Sequence, residues 1–197
     1  MGRTILYTGP MFAGKTTNLI KRAVEYDNFD LYKPNMDDRY SKDDIVCHNG
    51  EKLPAASVPV DKLYDEVKQS YYEELDVVGV DEAQFFGDEI VEVYNYLEDK
   101  DVDMIFAGLD LDFKREQFGR VLNIAEKADE VFYLTADCDY EDCDKNAEFT
   151  QRLIDGEPAS YDSPQVVVGK DDVYEARCEG HHVVRNSSEL YKDLVSE

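Results

Sequence analysis

Residues 9–16 read GPMFAGKT and come directly after the β-prone run Thr4–Thr8. These eight residues fit the pattern G-x-x-x-x-G-K-[ST] of loops that bind nucleotide phosphates. Four apolar residues then recur on one helical face: Leu19, Ile20, Ala23 and Val24. Because a strand precedes the motif and a helix follows it, the structural context that the motif requires is present. The sequence therefore predicts a nucleotide-binding loop in an α/β fold.

The residue types in this loop suit phosphate binding. Glycines let the backbone curl so that successive N–H groups face phosphate oxygens, and the following helix adds its positive dipole end. Lys15 can reach the β- and γ-phosphates, and the Thr16 hydroxyl can coordinate Mg²⁺. The predicted loop comprises Gly9, Pro10, Met11, Phe12, Ala13, Gly14, Lys15 and Thr16.

Strands and helices alternate along the first two thirds of the chain. Strands are predicted at 29–33, Val77–Val80, 104–108 and 131–134, and helices at 61–72 and around Ile90, Val93, Tyr94 and Leu97. This alternation predicts an α/β fold in which helices flank a parallel sheet with right-handed crossovers. A polar loop is expected over 41–50. Past residue 135, cysteines, short β-prone pieces and a Pro/Ser/Asp loop indicate a second module, so we expect domains over 1–135 and 136–197.

Asp81 and Glu82 directly follow the apolar run Val77–Val80. The carboxyl ends of parallel strands border the ligand crevice, so a carboxylate there can be a second ligand for Mg²⁺. Adjacent strand residues point to opposite faces. We therefore assign Asp81 to the metal and Glu82 to the acceptor group, as its base or orienting partner. In a chain this acidic, a solvated turn is the alternative interpretation of the pair.

Four residues near the C-terminus have the spacing of a metal site. Cys138 and Cys143 form C-x4-C, and Cys178 and His181 form C-x2-H. Without a secretion signal, this clustering favours a metal over disulfides. Three thiolates and one imidazole would fill a tetrahedral Zn²⁺ site and leave no position for a reacting water, so the zinc would be structural. His182 is an alternative fourth ligand, and unconnected thiols are the alternative to any site.

The charge of the chain excludes some functions. The 45 acidic residues against 21 basic ones give a formal net charge of −24. Binding to nucleic acid is not expected, because non-specific duplex binding depends on Lys and Arg neutralising phosphates. No apolar run approaches the roughly 20 residues that span a membrane, and none resembles a signal peptide. We therefore expect a soluble, cytoplasmic protein.

The same charge predicts adaptation to high salt. A small domain usually carries a net charge of about 2 to 8, and self-repulsion at −24 destabilises the compact state. Because the Debye length falls to about 3 Å at 1 M salt, we expect the melting temperature to rise from low to molar KCl. A melting series against KCl measures this, and an unchanged melting temperature would contradict it.

The chain resembles the type II, zinc-containing thymidine kinases over nearly its whole length. The matching residues are GPMFAGKT at 9–16, KP at 33–34, DRYS at 38–41, DEAQFF at 81–86, GLD at 108–110, Phe113, FG at 118–119, the cysteines, Thr150 and Tyr174. DEAQFF together with this loop is far more specific than the loop alone. The first cysteine pair departs from the family's commonest spacing, C-x2-C, by two inserted residues.

The resemblance implies an enzyme that uses ATP and Mg²⁺ to phosphorylate the 5′-hydroxyl of thymidine. It further implies a phosphate-loop α/β domain, a lasso over the nucleoside stabilised by structural Zn²⁺, and a homotetramer. Glu82 matches the catalytic base, and Arg39, Asp81 and Gln84 match positions at the ATP site. The positions that match the thymidine pocket are Met11, Phe85, Leu109, Phe113, Phe118, Thr150, Val167, Gly169 and Tyr174.

Two other functions compete with this interpretation. Another deoxynucleoside kinase, acting on deoxycytidine or deoxyuridine, is separated from a thymidine kinase only by the resemblance. A non-enzymatic, nucleotide-regulated protein could use the zinc module for interaction. Zinc knuckles often contact nucleic acid. Segment 136–157 is markedly acidic, which argues against such a contact here. Cys47 and His48 are interpreted as inert, because adjacent residues rarely have the geometry of a nucleophile and its base.

Overall fold

The computed structural model describes residues 2–35, 44–46, 52–166 and 173–185 of the chain. Within these residues the strands are β1 (Thr4–Thr8), β2 (Phe29–Pro34), β3 (Asp44–Val46), β4 (Lys52–Pro54), β5 (Ala56–Val58), β6 (Val77–Val80), β7 (Asp103–Gly108), β8 (Glu130–Tyr133), β9 (Ala136–Asp137), β10 (Asn146–Ala147), β11 (Phe149–Ile154), β12 (Glu157–Pro158) and β13 (Val173–Arg177). The helices are α1 (Lys15–Ala23), α2 (Leu63–Ser70), α3 (Glu89–Leu97) and α4 (Val121–Ala125), with a 3₁₀ turn at Ala83–Phe86.

Six strands form one parallel sheet in the order β5-β2-β6-β7-β1-β8. In the register, Thr8 of β1 lies beside Gly108 of β7 and Tyr133 of β8, so these strands end level with one another. Helices flank the sheet, which confirms the predicted α/β class. Because parallel strands end at the same edge, the residues that follow β1, β6 and β7 converge there.

Alternate residues of the central strands enter two separate cores. Leu6 packs with the side chains of α2, α3 and α4, whereas Ile5 and Tyr7 pack with those of α1. Val77 and Val78 separate in the same way between the two cores. The apolar run in β6 is continuous because both faces of this strand are covered by helices.

The predicted strands at 29–33, 104–108 and 131–134 are present, with bounds moved by one residue. β5 and α4 were not predicted, because three and five residues are too few to show a period. The polar loop expected over 41–50 was wrong at 44–46, where β3 pairs antiparallel with β4. Short strands make poor sequence signals, since tertiary packing and not propensity decides them.

Beyond β8 the chain forms small antiparallel sheets. β9 pairs with β10, and β11 lies between β12 and β13. The change from parallel to antiparallel pairing falls close to residue 135, and the division into domains 1–135 and 136–197 stays a prediction. In the described part of the chain, no helix has the length and apolar character needed to cross a membrane.

Candidate active site

The predicted phosphate loop connects β1 to the first residue of α1. Gly9 has φ +130°, and Gly14, which precedes the helix, has φ +80°. No described side chain caps the start of α1, so N–H groups of the first helical turn remain available to an anion. The amino group of Lys15 lies inside the loop and donates to the Pro10 carbonyl at 2.5 Å. The loop therefore has the backbone form that phosphate binding requires.

Gly9 cannot carry a side chain in this loop. A Cβ at this position would lie 2.1 Å from the carbonyl oxygen of Leu134, and φ +130° already disfavours other residues. Gly9→Ala should therefore displace the loop and lower ATP affinity at least about tenfold, because a misplacement near 1 Å can cost far more. Titration with ATP measures this. Gly156→Ala is a matched control, since Gly156 also has positive φ (+80°) but a Cβ there would have no atom within 4 Å. Unchanged ATP affinity in Gly9→Ala would contradict the account.

Lys15 is a buried cation among carboxylates. Burial lowers the pKa of its ammonium group, while Glu82, Asp81 and Asp110 act in the opposite direction. Only 9% of the residue is exposed. A buried charge needs a nearby opposite charge, and a bound phosphate at this loop would supply one.

Asp81 and Glu82 have different environments, as predicted from their position after β6. Asp81 is buried, and its two carboxylate oxygens each accept from the Thr16 hydroxyl at 3.1 Å. Burial, with a contribution from the Glu82 charge, raises the pKa of Asp81. Glu82 is exposed and has left-handed backbone geometry, with φ 50°. The strand end thus places a buried carboxylate against Thr16 and leaves an exposed one, Glu82, at the border of the cavity.

Gln84 lies in the 3₁₀ turn Ala83–Phe86, and 3% of the residue is exposed. Its Nε2 donates to a Glu82 carboxylate oxygen at 2.6 Å, and its Oε1 accepts from the N–H of Leu109 at 3.0 Å. The sequence comparison with the family placed Gln84 at the ATP site. In the structure its side chain contacts Glu82 and the N–H of Leu109, directly after β7.

A cavity of about 570 Å³ opens over this edge of the sheet. Gly14, Lys15 and Thr16 line one part of it, and Glu82 and Gln84 also border it. The remaining wall includes the predicted pocket residues Met11, Phe85, Leu109, Phe113, Phe118, Thr150 and Tyr174. Three predicted site residues, Arg39, Val167 and Gly169, lie outside the described residues, as do Cys47 and His48.

The apolar part of the cavity suits a flat ring. The rings of Phe85 and Phe118 meet edge to face, with centroids 5.4 Å apart. Phe113 is also buried, and the Arg152 guanidinium lies 5.2 Å from its ring centre. Aromatic side chains with restricted freedom form good walls for a planar ligand.

Sequence reasoning missed several residues of the cavity wall, including Thr17, Asp112, Gln165 and Val166. Asp112 is 3% exposed, and one of its oxygens accepts from the N–H groups of Lys114 and Glu116. Its other oxygen accepts from the side chain of Gln165 at 2.9 Å. An aspartate in a polar loop gives no sequence signal for burial, because its partner lies far along the chain.

The C-terminal module contacts the phosphate loop directly. The N–H of Met11 donates to the Thr150 hydroxyl at 3.0 Å. Thr150 belongs to β11 and Tyr174 to β13, so two neighbouring strands of this small sheet both contribute to the cavity wall. The cavity therefore spans both predicted domains.

Cys138, Cys143, Cys178 and His181 converge, with all four candidate ligand atoms within 4.8 Å of one another. The Sγ atoms of Cys143 and Cys178 are 3.9 Å apart, and the Cys178 Sγ lies 3.4 Å from Nδ1 of His181. Sulfur atoms bound tetrahedrally at about 2.3 Å from a zinc ion would lie about 3.8 Å apart. The donor set and its spacing therefore fit a structural zinc ion.

His182 does not join this cluster. Its Nδ1 accepts from Nε of Arg115 at 3.1 Å, and its Nε2 lies 3.2 Å from the carbonyl oxygen of Thr150. Burial, together with the Arg115 charge, lowers the pKa of His182. A neutral ring with its proton on Nε2 satisfies both contacts. Of the two histidines, His181 is the one placed with the thiols.

Comparison with known proteins agrees with this geometry. A family model described as thymidine kinase matches residues 2–182. A curated thymidine kinase from Thermococcus kodakarensis is 46% identical over 184 residues, which cover 90% of this chain and 92% of that protein. The range that the family model matches includes the phosphate loop, the Asp81–Glu82 pair and all four residues of the cysteine and histidine cluster, so the likeness is not confined to one motif. The chain belongs to the thymidine kinase family.

Proposed function

We propose that this protein transfers the γ-phosphoryl group of ATP to the 5′-hydroxyl of thymidine, giving thymidine monophosphate and ADP. One observation carries the proposal. A single cavity has the phosphate loop in one part of its wall, aromatic side chains in another, and Glu82 at its border. A nucleoside kinase needs these three features together, because donor phosphate, acceptor hydroxyl and base must meet.

The phosphate loop would hold the donor. Backbone N–H groups of the loop and of the start of α1 would donate to the phosphates, and Lys15 would neutralise their charge. Thr16 and Asp81, which already contact each other, are the residues that would hold Mg²⁺. When bound, Mg²⁺ neutralises charge on the phosphate oxygens.

Glu82 would receive the proton of the acceptor. The 5′-oxygen attacks phosphorus as the bond to the ADP oxygen breaks, and the hydroxyl proton passes to the carboxylate. Because phosphoryl transfer has a loose transition state, positioning and charge stabilisation supply most of the acceleration. The aromatic walls of the cavity would hold the base and so fix the sugar relative to Glu82.

The Cys138, Cys143, Cys178 and His181 cluster would hold Zn²⁺ in a structural role. All four positions of a tetrahedral ion would be occupied by protein atoms. Cys178 and His181 follow β13, and Cys138 and Cys143 follow β9. The ion would therefore tie together the two segments that carry Thr150 and Tyr174 into the cavity.

A panel of nucleosides with ATP and Mg²⁺ tests the substrate. Thymidine, deoxyuridine and deoxycytidine are compared by kcat/KM, with ADP formation and the nucleoside product both measured. We expect thymidine to be the best acceptor. Preferential phosphorylation of deoxycytidine would instead support the rival deoxynucleoside kinase, and nucleotide binding without any phosphorylated nucleoside would support a non-enzymatic protein.

We also propose that the enzyme is a homotetramer, which the family resemblance implies, and that it is cytoplasmic and does not bind nucleic acid, which its acidic composition favours. Light scattering coupled to gel filtration should then give a molecular mass four times that of one chain. A monomer at micromolar concentration would contradict the assembly.

A further inference from the structure

Glu82 has little structural support of its own. The residue is exposed and its backbone lies in the left-handed region, with φ 50°. A glutamate side chain has several rotatable bonds, so holding it in one orientation costs conformational entropy. A base that must accept one particular proton needs a group that fixes its carboxylate.

Gln84 makes that contact, and the direction of its amide is determined. The Oε1 atom accepts from the Leu109 N–H at 3.0 Å, and an N–H can only donate. The Nε2 group must therefore face Glu82, to which it donates at 2.6 Å. One carboxylate oxygen of Glu82 is thereby held, and the other remains available to an acceptor.

Two glycines leave the space that Gln84 occupies. A Cβ on Gly108 would lie 2.8 Å from Oε1 of Gln84, and a Cβ on Gly119 would lie 2.2 Å from the backbone carbonyl oxygen of Gln84. Gly108 is itself fixed, since its carbonyl accepts from the Thr8 hydroxyl at 2.9 Å. Thr8 is the last residue of β1, directly before the phosphate loop.

We propose that Gln84 is a positioning residue, which orients the Glu82 carboxylate towards the acceptor hydroxyl. Through its hydrogen bond to the Leu109 N–H, it also connects Glu82 to the end of β7. The inference rests on the proposed function, in which Glu82 is the base. Gln84 acts through Glu82 and makes no contact with ATP in this role. Leu109, whose N–H it binds, lines the same cavity.

Two substitutions of Gln84 remove the hydrogen bond that its amide donates to Glu82, and only one of them keeps the oxygen that accepts from Leu109. Gln84→Glu keeps an oxygen for the Leu109 N–H but cannot donate to Glu82 when both carboxyls are ionised. Gln84→Met keeps a similar length and adds no charge. We expect kcat to fall about 10- to 100-fold in both at mildly alkaline pH, the scale of a misplaced reacting group. The KM values for ATP should stay within about threefold. Gln69→Glu, on the exposed surface of α2, is the matched control for added charge.

Gly108→Ala tests the same link without altering either polar side chain. The added carbon would displace the Gln84 amide, so kcat should fall while the KM for ATP is retained. Thermal melting of every variant shows whether the fold is kept, and kinetic constants are taken on the folded protein. A loss of ATP affinity in place of kcat would overturn the positioning role and restore Gln84 to the ATP site.

A double-mutant cycle gives the deciding result. If Gln84 acts only through Glu82, adding Gln84→Met to Glu82→Gln should lower kcat by no more than about twofold. Multiplication of the two single effects would show an independent role and overturn the inference, as would wild-type kcat in Gln84→Met. If Glu82→Gln alone keeps wild-type turnover, the base assignment in the proposed function fails instead. The cycle therefore distinguishes the two failures.

Discussion

Glu82→Gln is expected to reduce turnover about 10²- to 10⁴-fold, the contribution of a positioned general base. The amide keeps the size of the side chain and can still accept a hydrogen bond, but it cannot take up the proton of the acceptor hydroxyl. Lys15, Thr16 and Asp81 are untouched, so ATP affinity should survive. Steady-state kinetics together with an ATP titration measure the two effects separately.

A matched change elsewhere controls for the lost charge. Glu92→Gln replaces an exposed glutamate on α3 that does not line the cavity, and it should leave kcat unchanged. If Glu82→Gln turned over thymidine as fast as the unmodified enzyme, the carboxylate would not be the base. A loss of ATP affinity equal to the loss of turnover would place Glu82 in binding and not in proton transfer.

Cys178→Ser is the second change with a large expected effect. Structural zinc in small modules is associated with about 10 to 16 kcal/mol of apparent binding free energy, much of which is folding free energy. The described core of this region is small and includes Cys138, Ala147, Ala176 and Cys178 themselves. We expect the variant to lose zinc, to melt at a much lower temperature and to lose thymidine binding.

The two histidines provide the control for this change. His181→Ala should lose zinc as Cys178→Ser does, because its Nδ1 lies 3.4 Å from the Cys178 sulfur. His182→Ala should keep the metal, since its ring contacts Arg115 and Thr150. Metal analysis of the purified variants measures their zinc content. Full zinc content in Cys178→Ser, or metal loss in His182→Ala alone, would contradict the assigned ligand set.

The sequence was most informative where local chemistry and structure coincide. The order of strand, glycine-rich loop and helix around Gly9 and Lys15 was predictable, because the motif cannot work in another context. The apolar run Val77–Val80 likewise predicted a strand covered on both faces, with Asp81 and Glu82 at its end. The C-x4-C and C-x2-H spacings predicted which side chains converge.

Other features depend on partners that are distant in sequence. Neither burial of Asp112 nor its contact with Gln165 has a local signal. The spacing favoured His181 over His182 but could not exclude the latter; their contacts with separate parts of the module distinguish them. The orientation of Gln84 depends on the N–H of Leu109, which only the pairing of the central strands brings within reach.

The most direct measurement of the central claim follows the transferred group itself. The purified protein is incubated with thymidine and ATP whose γ-phosphate carries a radioactive label, and the products are separated. We predict that the label moves to the 5′-position of thymidine monophosphate in step with ADP formation, and that Glu82→Gln slows both equally. Label found only in inorganic phosphate, or remaining in ATP, would contradict the assignment of this cavity as a site of transfer to a nucleoside.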